Sequence, residues 1–455
     1  MNMTFLQEMY QSITHRDALL RRRQGDGSPP DHRRLLDACQ RLLASDGEAS
    51  SIALASRALG MYQRLGPEER LRFFERLASD FAAEPTEIDA AYARYAEQRD
   101  NDSLEVLFEA CEPRRQELIR RLNLTTGGTV ELVQMRVDLL GLLREHPELS
   151  AIDADFAHLF GSWFNRGFLM LKRIDWDTPA SILEKIIRYE AVHEIRDWND
   201  LRRRLDARDR RCFAFFHPAV GNDPLIFVEV ALHKGLPDQI QPILSGESAG
   251  KDSGVEEPEE ADTAAFFGIS NCQAGLRGIS FGNFLIKQVV QELKQELPQL
   301  KHFVTLSPMP GFAQWLAEQR EDETLPEAVR ETLAEMQTPG WHEDPERAKR
   351  LKAVVKPLAA HYLVDEKNAR GLPLNPVARF HLGNGAELHR INWLGDVSAK
   401  GLKQGAGLMV NYLYVLDDIE RNHENYIANA TVARSSGVKD LVRKARKLAK
   451  GETAK

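Results

Sequence analysis

Apolar positions in the first third of the chain recur at helical spacing. In "PEERLRFFERLASDF", Pro67 and two acidic residues open a stretch whose Leu71, Phe74, Leu77 and Phe81 fall along one helical face. "PRRQELIRRLNL" and "VELVQMRVDLLGLLREH" repeat this texture on either side of a Gly127-Gly128 break. "HLFGSWFNRGFLMLKRIDW" is apolar and aromatic, as expected of a segment that packs the helical part against the remainder of the chain. The pattern predicts an all-helical domain over residues 1–170. Charged runs such as Arg21–Arg23 and Arg202–Arg204 read as solvated helix faces.

After Trp176 the pattern changes. "CFAFFHPAVGNDPLIFVEVALHKG" is two β-rich runs joined by a Pro/Gly/Asn/Asp turn, the signal of a hairpin. The acidic stretch "SGESAGKDSGVEEPEEAD", Ser245 to Asp262, has almost no apolar anchor and reads as a loop insertion. A strand "TAAFFGISNC", a glycine-rich loop "QAGLRGISFG", a helix "NFLIKQVVQELKQEL" and a strand "KHFVTLS" come next. Residues 313–367 are again mostly helical, and there is no internal repeat. These elements predict an α+β chain: the helical domain, then a mixed β-sheet domain flanked by helices over 171–455.

Composition narrows the class. A length of 455 residues, 43% hydrophobic and 28% charged, is that of an ordinary globular protein of two or three domains. A net charge of −8 gives no global reason to expect nucleic acid as a partner. The cysteines Cys39, Cys111, Cys212 and Cys272 are far apart and form no C-x-x-C pair, which favours free thiols, a reducing compartment and no structural zinc. No secretory signal, membrane span, peroxisomal tripeptide or prenylation motif is legible, so the expected location is cytoplasmic and no membrane partner is expected.

Three stretches carry candidate chemistry. "HFVTLSPMPGF" is a strand that stops at Ser307, where Pro308, Pro310 and Gly311 turn the chain. The serine either caps a turn or presents a hydroxyl at the strand's carboxyl end. The glycine-rich loop places Gly275, Gly278 and Gly282 ahead of a helix N-terminus, where backbone N–H groups and the helix dipole favour an anion. Its spacing fits neither the Walker A nor the Rossmann pattern. It resembles instead the Q-x-x-G-x-G/A loop by which GNAT acetyltransferases hold the pyrophosphate of coenzyme A. Gln273 and Gly278 keep that flavour at a stretched spacing, and a plain strand-to-helix turn is the alternative. In "NPVARFHLGNG", Asn375 as cap and Pro376 at the first helical position predict a short helix through His381 that stops at Gly385. The competing reading of Asn384-Gly385 is a hairpin turn. An imidazole of pKa near 6.5 can give or take a proton at neutral pH.

Four stretches together, "FFGISNCQAGLRGISFGNFLIKQVVQEL", "FVTLSPMPGF", "NPVARFHLGNGAELHRINWLGDVSAKGL" and "GLMVNYLYVLDDIE", resemble the malonyl-CoA decarboxylase family over most of the chain. That resemblance implies a GNAT-like catalytic domain and the conversion of malonyl-CoA to acetyl-CoA and CO2. It implies no metal and no organic cofactor, coenzyme A being part of the substrate. The family's S-P-x-P-G-F serine falls on Ser307, and the F-H-L-x-N-G-A histidine falls on His381. Its acyl-CoA loop falls on Arg277, Gly278, Ile279, Ser280, Phe281, Gly282 and Asn283, and a pocket tyrosine of N-Y-x-Y falls on Tyr414. Some relatives carry a glutamate where this chain has Ser280 and a serine where it has Gly268.

The chemistry suits these residues. Loss of CO2 leaves an electron pair that the thioester carbonyl accepts, so donors at that oxygen and an acid for the enolate carbon are what the reaction requires. Three rivals share parts of the pattern: a GNAT acyl-CoA N-acyltransferase, a thioesterase using Ser307 and His381 as nucleophile and base, and a non-catalytic acyl-CoA-binding regulator. "LSPMPG" is not the G-x-S-x-G elbow of a hydrolase. The helical domain is large for an appendage, and the expectation is that it makes the protein a homo-oligomer; packing of its amphipathic helices within one chain is the alternative.

Overall fold

The computed structural model describes residues 31–245, 257–279 and 285–451. Arg21–Arg23, most of the acidic insertion and the loop residues Ser280, Phe281, Gly282 and Asn283 lie outside the described residues. The chain divides into two compact units. One is formed by the residues up to Asn165 with Pro218–Gly221 and the stretch that begins at Gln273, and the other by the remainder.

The first unit is built of helices, among them Pro67–Asp80, Arg114–Leu122 and Gly128–Leu142. Pro67 sits at the start of its helix with Glu68 and Glu69 in the first turn, where acids oppose the positive dipole end. Phe73, Phe74 and Leu77 bury its inner face, and Phe81 joins them in the core. Arg136 is buried among these helices. Its Nε pairs with Asp153 at 2.8 Å, and its Nη1 donates to the carbonyls of Gly275 (2.7 Å) and Arg277 (3.0 Å).

The second unit is organised on one eight-stranded sheet. Its strands are β1 (Met170–Ile174), β2 (Arg210–Phe216), β3 (Pro224–His233), β4 (Thr263–Asn271), β5 (His302–Thr305), β6 (Ser307–Pro308), β7 (Glu387–Asn392) and β8 (Met409–Leu413). The order is β1-β2-β3-β4-β5-β8-β6, with β7 also on β8. β2 and β3 form the expected hairpin and are buried almost throughout. Helices over Leu285–Glu296, Phe312–Glu321, Pro345–Val364 and Pro376–Gly383 flank the sheet. The observed class is that read from the pattern.

Among these strands β4 and β5 run parallel, paired over Thr263–Phe266 against His302–Thr305. Beyond Phe266 the two strands part: β4 continues to Asn271 beside β3, whereas the chain after Thr305 moves over to β8. Ser307 stands where the strands have separated, paired with Val410.

One expectation is corrected. Arg202 and Arg203 are on a solvated face, but Arg204 is buried. Its guanidinium lies 3.4 Å from the buried Glu229 and donates to the carbonyls of His193 (2.8 Å) and Glu194 (3.0 Å). A charge run cannot reveal this, because helical rotation turns one arginine of three inward, between Asp200 of its own helix (3.6 Å) and Glu229 of a distant strand.

Candidate active site

Two local devices bring Ser307 and His381 together. Gly311 adopts φ +82° and turns the chain from the prolines into the helix Phe312–Glu321. The Asn375 side chain caps the helix Pro376–Gly383 by accepting from the Ala378 N–H at 2.9 Å. The Asn375 amide nitrogen also donates to the Pro310 carbonyl at 2.9 Å, tying the serine's turn to the histidine's helix. The helix reading of this segment therefore holds, and Asn384-Gly385 lies at its C-terminal end.

Ser307 and His381 are both buried, and Ser307 Oγ lies 3.0 Å from His381 Nε2. Ser307 Oγ also donates to Thr305 Oγ1 at 2.9 Å, and the Tyr412 N–H reaches the same Thr305 oxygen at 3.1 Å. On the other side of the ring, His381 Nδ1 lies 2.9 Å from the Tyr414 hydroxyl. The Tyr412 ring stacks on the imidazole at 4.6 Å between centroids and 26° between planes. Main-chain N–H of Tyr414 donates to the Phe303 carbonyl at 2.8 Å, which holds its strand beside β5. The result is one buried chain of hydrogen bonds, Tyr414–His381–Ser307–Thr305.

Burial sets the protonation states. It pushes the His381 pKa down to about 3 from the ordinary imidazole value of 6.5: with a phenol and a serine on the ring nitrogens and no carboxylate, nothing offsets the lost hydration of an imidazolium. Burial, reinforced by Tyr412, raises the Tyr414 phenol well above its usual value, so it stays a neutral hydroxyl. The resting site is uncharged.

An acid-side stability difference results. A histidine in the unfolded chain titrates near 6.5, and His381 in the folded chain titrates far lower. As pH falls below about 6.5, the unfolded state takes up a proton that the folded state refuses, which lowers stability by at most about 1.4 kcal/mol per pH unit. His381→Asn removes this contribution. Urea unfolding of both proteins between pH 7 and 5 should show the variant gaining stability relative to wild type as pH falls. Parallel curves would mean that His381 is charged or exposed in the folded protein.

The glycine-rich loop is described as far as Ile279. Gly275 packs so closely on the helix Gly128–Leu142 that a Cβ there would meet the Val133 carbonyl oxygen at 2.1 Å. Gly278 adopts φ +81°, and among the described residues no atom comes within 4 Å of where a Cβ would stand. Arg136, which fixes two carbonyls of this loop, is not marked by the sequence. It lies 139 positions from Gly275 inside a helical stretch, and no local signal distinguishes it. Among the described residues, no group of three His, Cys, Asp or Glu side chains is placed to hold a metal ion, and no helix is long and apolar enough to cross a membrane.

A strand, loop, helix and strand in which the two strands run parallel and then splay define an α+β unit that carries a buried Ser–His pair. Residues 81–164 match the malonyl-CoA decarboxylase N-terminal domain and residues 167–452 match the malonyl-CoA decarboxylase C-terminal domain. The mitochondrial malonyl-CoA decarboxylase of Anser anser anser is 36% identical over 399 residues, which is 80% of this chain and 78% of that protein. Among solved structures, malonyl-CoA decarboxylase from Rhodopseudomonas palustris is 50% identical and covers 90% of this chain and 100% of its own, with a TM-score of 0.86. The enzyme from Agrobacterium vitis is 51% identical with a TM-score of 0.84, covering 90% of this chain and 99% of its own. The chain belongs to the malonyl-CoA decarboxylase family.

Proposed function

We propose that this protein is a carboxy-lyase that converts malonyl-CoA to acetyl-CoA and CO2 at Ser307 and His381. The observation that carries the reading is the buried 3.0 Å contact between these two side chains at the end of a splayed strand, in a chain of this family. As the C–C bond breaks, its electrons pass into the thioester carbonyl, and the site must stabilise an enolate. When substrate binds, the Ser307 hydroxyl and the His381 Nε2–H turn from their resting partners, Thr305 and Ser307, to donate hydrogen bonds there. The thioester is itself the electron sink, so the reading assigns no metal and no organic cofactor.

The source of the proton comes from electrostatics. The free imidazole is neutral because it is buried. A malonyl carboxylate arriving in the same low-dielectric space favours the charged ring, since an opposite charge within about 4–6 Å raises such a pKa by roughly 1–3 units. The reaction proceeds from the fraction of the substrate complex in which the ring is protonated. CO2 leaves, the negative charge moves to the enolate oxygen, and the imidazolium gives its proton to the enolate carbon. Charges balance over the cycle.

The same contacts weigh against a thioesterase. In a Ser-His-Asp hydrolase a carboxylate at Nδ1 orients the histidine and stabilises the imidazolium formed as the serine attacks. Here Nδ1 faces a neutral phenol.

For the rest of the substrate, the reading places the coenzyme A phosphates on the loop from Arg277 to Asn283. The positive φ of Gly278, +81°, supports this, because it turns the loop backbone as a close approach to a ligand requires. Gly278→Val should weaken coenzyme A binding, because a β-branched side chain obstructs that approach and is strained at positive φ by roughly 1–2 kcal/mol. Calorimetric titration with coenzyme A checks it, and unchanged affinity in a folded variant would put the phosphates elsewhere. The reading also includes a cytoplasmic location, supported by four free cysteines, and self-association through the helical unit. Sedimentation of the full chain tests the latter, where a monomer would count against it.

Incubation of the purified protein with malonyl-CoA tests the assignment. Equimolar acetyl-CoA and CO2 are expected. Malonate with free coenzyme A would mean hydrolysis, and acyl transfer on adding an amine would mean an acyltransferase.

A further inference from the structure

Thr305 lies two residues before Ser307 in "HFVTLSPMPGF" and has been given no role, yet three contacts converge on it. It is fully buried at the end of β5. Its Oγ1 accepts from the Tyr412 N–H at 3.1 Å and from the Ser307 hydroxyl at 2.9 Å, and its carbonyl accepts from Asn411 Nδ2 at 2.7 Å. Main-chain and side-chain partners thus fix the threonine before any substrate arrives.

We infer that Thr305 is a positioning residue that sets the direction of the hydrogen-bond chain and, through it, the tautomer of His381. Ser307 has one hydroxyl hydrogen. Because that hydrogen goes to Thr305, a serine lone pair faces Nε2, and Nε2 must be the nitrogen that carries hydrogen. A neutral imidazole has only one N–H, so Nδ1 is the acceptor and takes the Tyr414 hydroxyl proton. The chain then reads Tyr414 to His381 to Ser307 to Thr305, each donating to the next.

Direction matters for the reaction. With Thr305 in place, the nitrogen beside Ser307 is protonated, as a donor toward an enolate must be. Without the threonine oxygen, the serine hydroxyl would turn to Nε2, the imidazole hydrogen would move to Nδ1, and a bare nitrogen would stand next to the serine. That reversed arrangement is a base paired with a nucleophile. Val at position 305 keeps the shape of the side chain and removes the oxygen. Ser keeps the oxygen and removes a methyl.

The kinetic part of this inference rests on the decarboxylase reading, and the tautomer part does not. Imidazole 15N shifts of histidine-labelled protein report the tautomer, with the His381 signals identified as those lost in His381→Asn. The expected wild-type result is Nε2–H. Thr305→Val should move the hydrogen to Nδ1 and lower kcat roughly tenfold, the scale of one lost hydrogen bond, with KM within about twofold. Thr305→Ser should restore both tautomer and kcat. Thr305→Val also leaves the Tyr412 N–H without its partner, so if that variant fails to fold, the wild-type tautomer and Thr305→Ser decide. Nδ1–H in the wild type, or Thr305→Val with unchanged tautomer and kcat, overturns the proposal. A wild type that shows Nε2–H but does not decarboxylate malonyl-CoA contradicts the functional reading alone.

Discussion

His381→Asn should lower kcat by roughly 10²–10⁴, the span of general acid catalysis, while a non-reactive malonyl-CoA analogue binds with nearly unchanged affinity. Asparagine keeps a hydrogen-bonding side chain beside Ser307 and Tyr414 but has no proton to give at neutral pH. The pH dependence sharpens the test. Burial holds the free imidazole near pKa 3, and the substrate carboxylate raises that value in the complex. Wild-type kcat should therefore fall on the alkaline side as the complexed imidazolium loses its proton, and the variant should lack that limb. Turnover close to wild type, or the same limb in the variant, would assign the proton to another donor, with Tyr414 at Nδ1 next in line.

Ser307→Ala should lower kcat by roughly 10²–10³, equivalent to about 3–4 kcal/mol for one lost donor at a developing oxyanion. The fold should survive, because the Tyr412 N–H still finds Thr305 Oγ1 after the change. A kcat near wild type would remove Ser307 from the mechanism. If KM rises while kcat holds, the hydroxyl grips the ground-state carboxylate and does not favour the enolate. His381→Asn and Ser307→Ala should not be additive, since the two side chains are in direct contact.

How far the sequence carried these assignments depends on range. Local signals were legible: the 3.6-residue period with Pro67 ahead of it, the hairpin turn between β2 and β3, and the Asn375-Pro376 start of the histidine's helix. Each is settled within a few residues of chain. Ser307 was marked by the turn after it, and His381 by its motif. Long-range partners were not legible. Tyr414 reaches His381 across 33 positions and Arg136 reaches Gly275 across 139, and no periodicity encodes which side chains a fold will bring together. Arg204 looked like its exposed neighbours because the buried carboxylate it meets, Glu229, belongs to another element. The lowered pKa of His381 is not legible for the same reason: residue type gives the starting value, and burial decides the rest.

The central claim is that an enolate forms at this site and takes its proton from a protein acid in exchange with solvent. The most direct measurement is turnover of malonyl-CoA in D2O, with mass analysis of the thioester product. The expected result is acetyl-CoA carrying one deuterium in its methyl group for each CO2 released. Acetyl-CoA without solvent deuterium, or malonate with free coenzyme A in place of CO2, would contradict it.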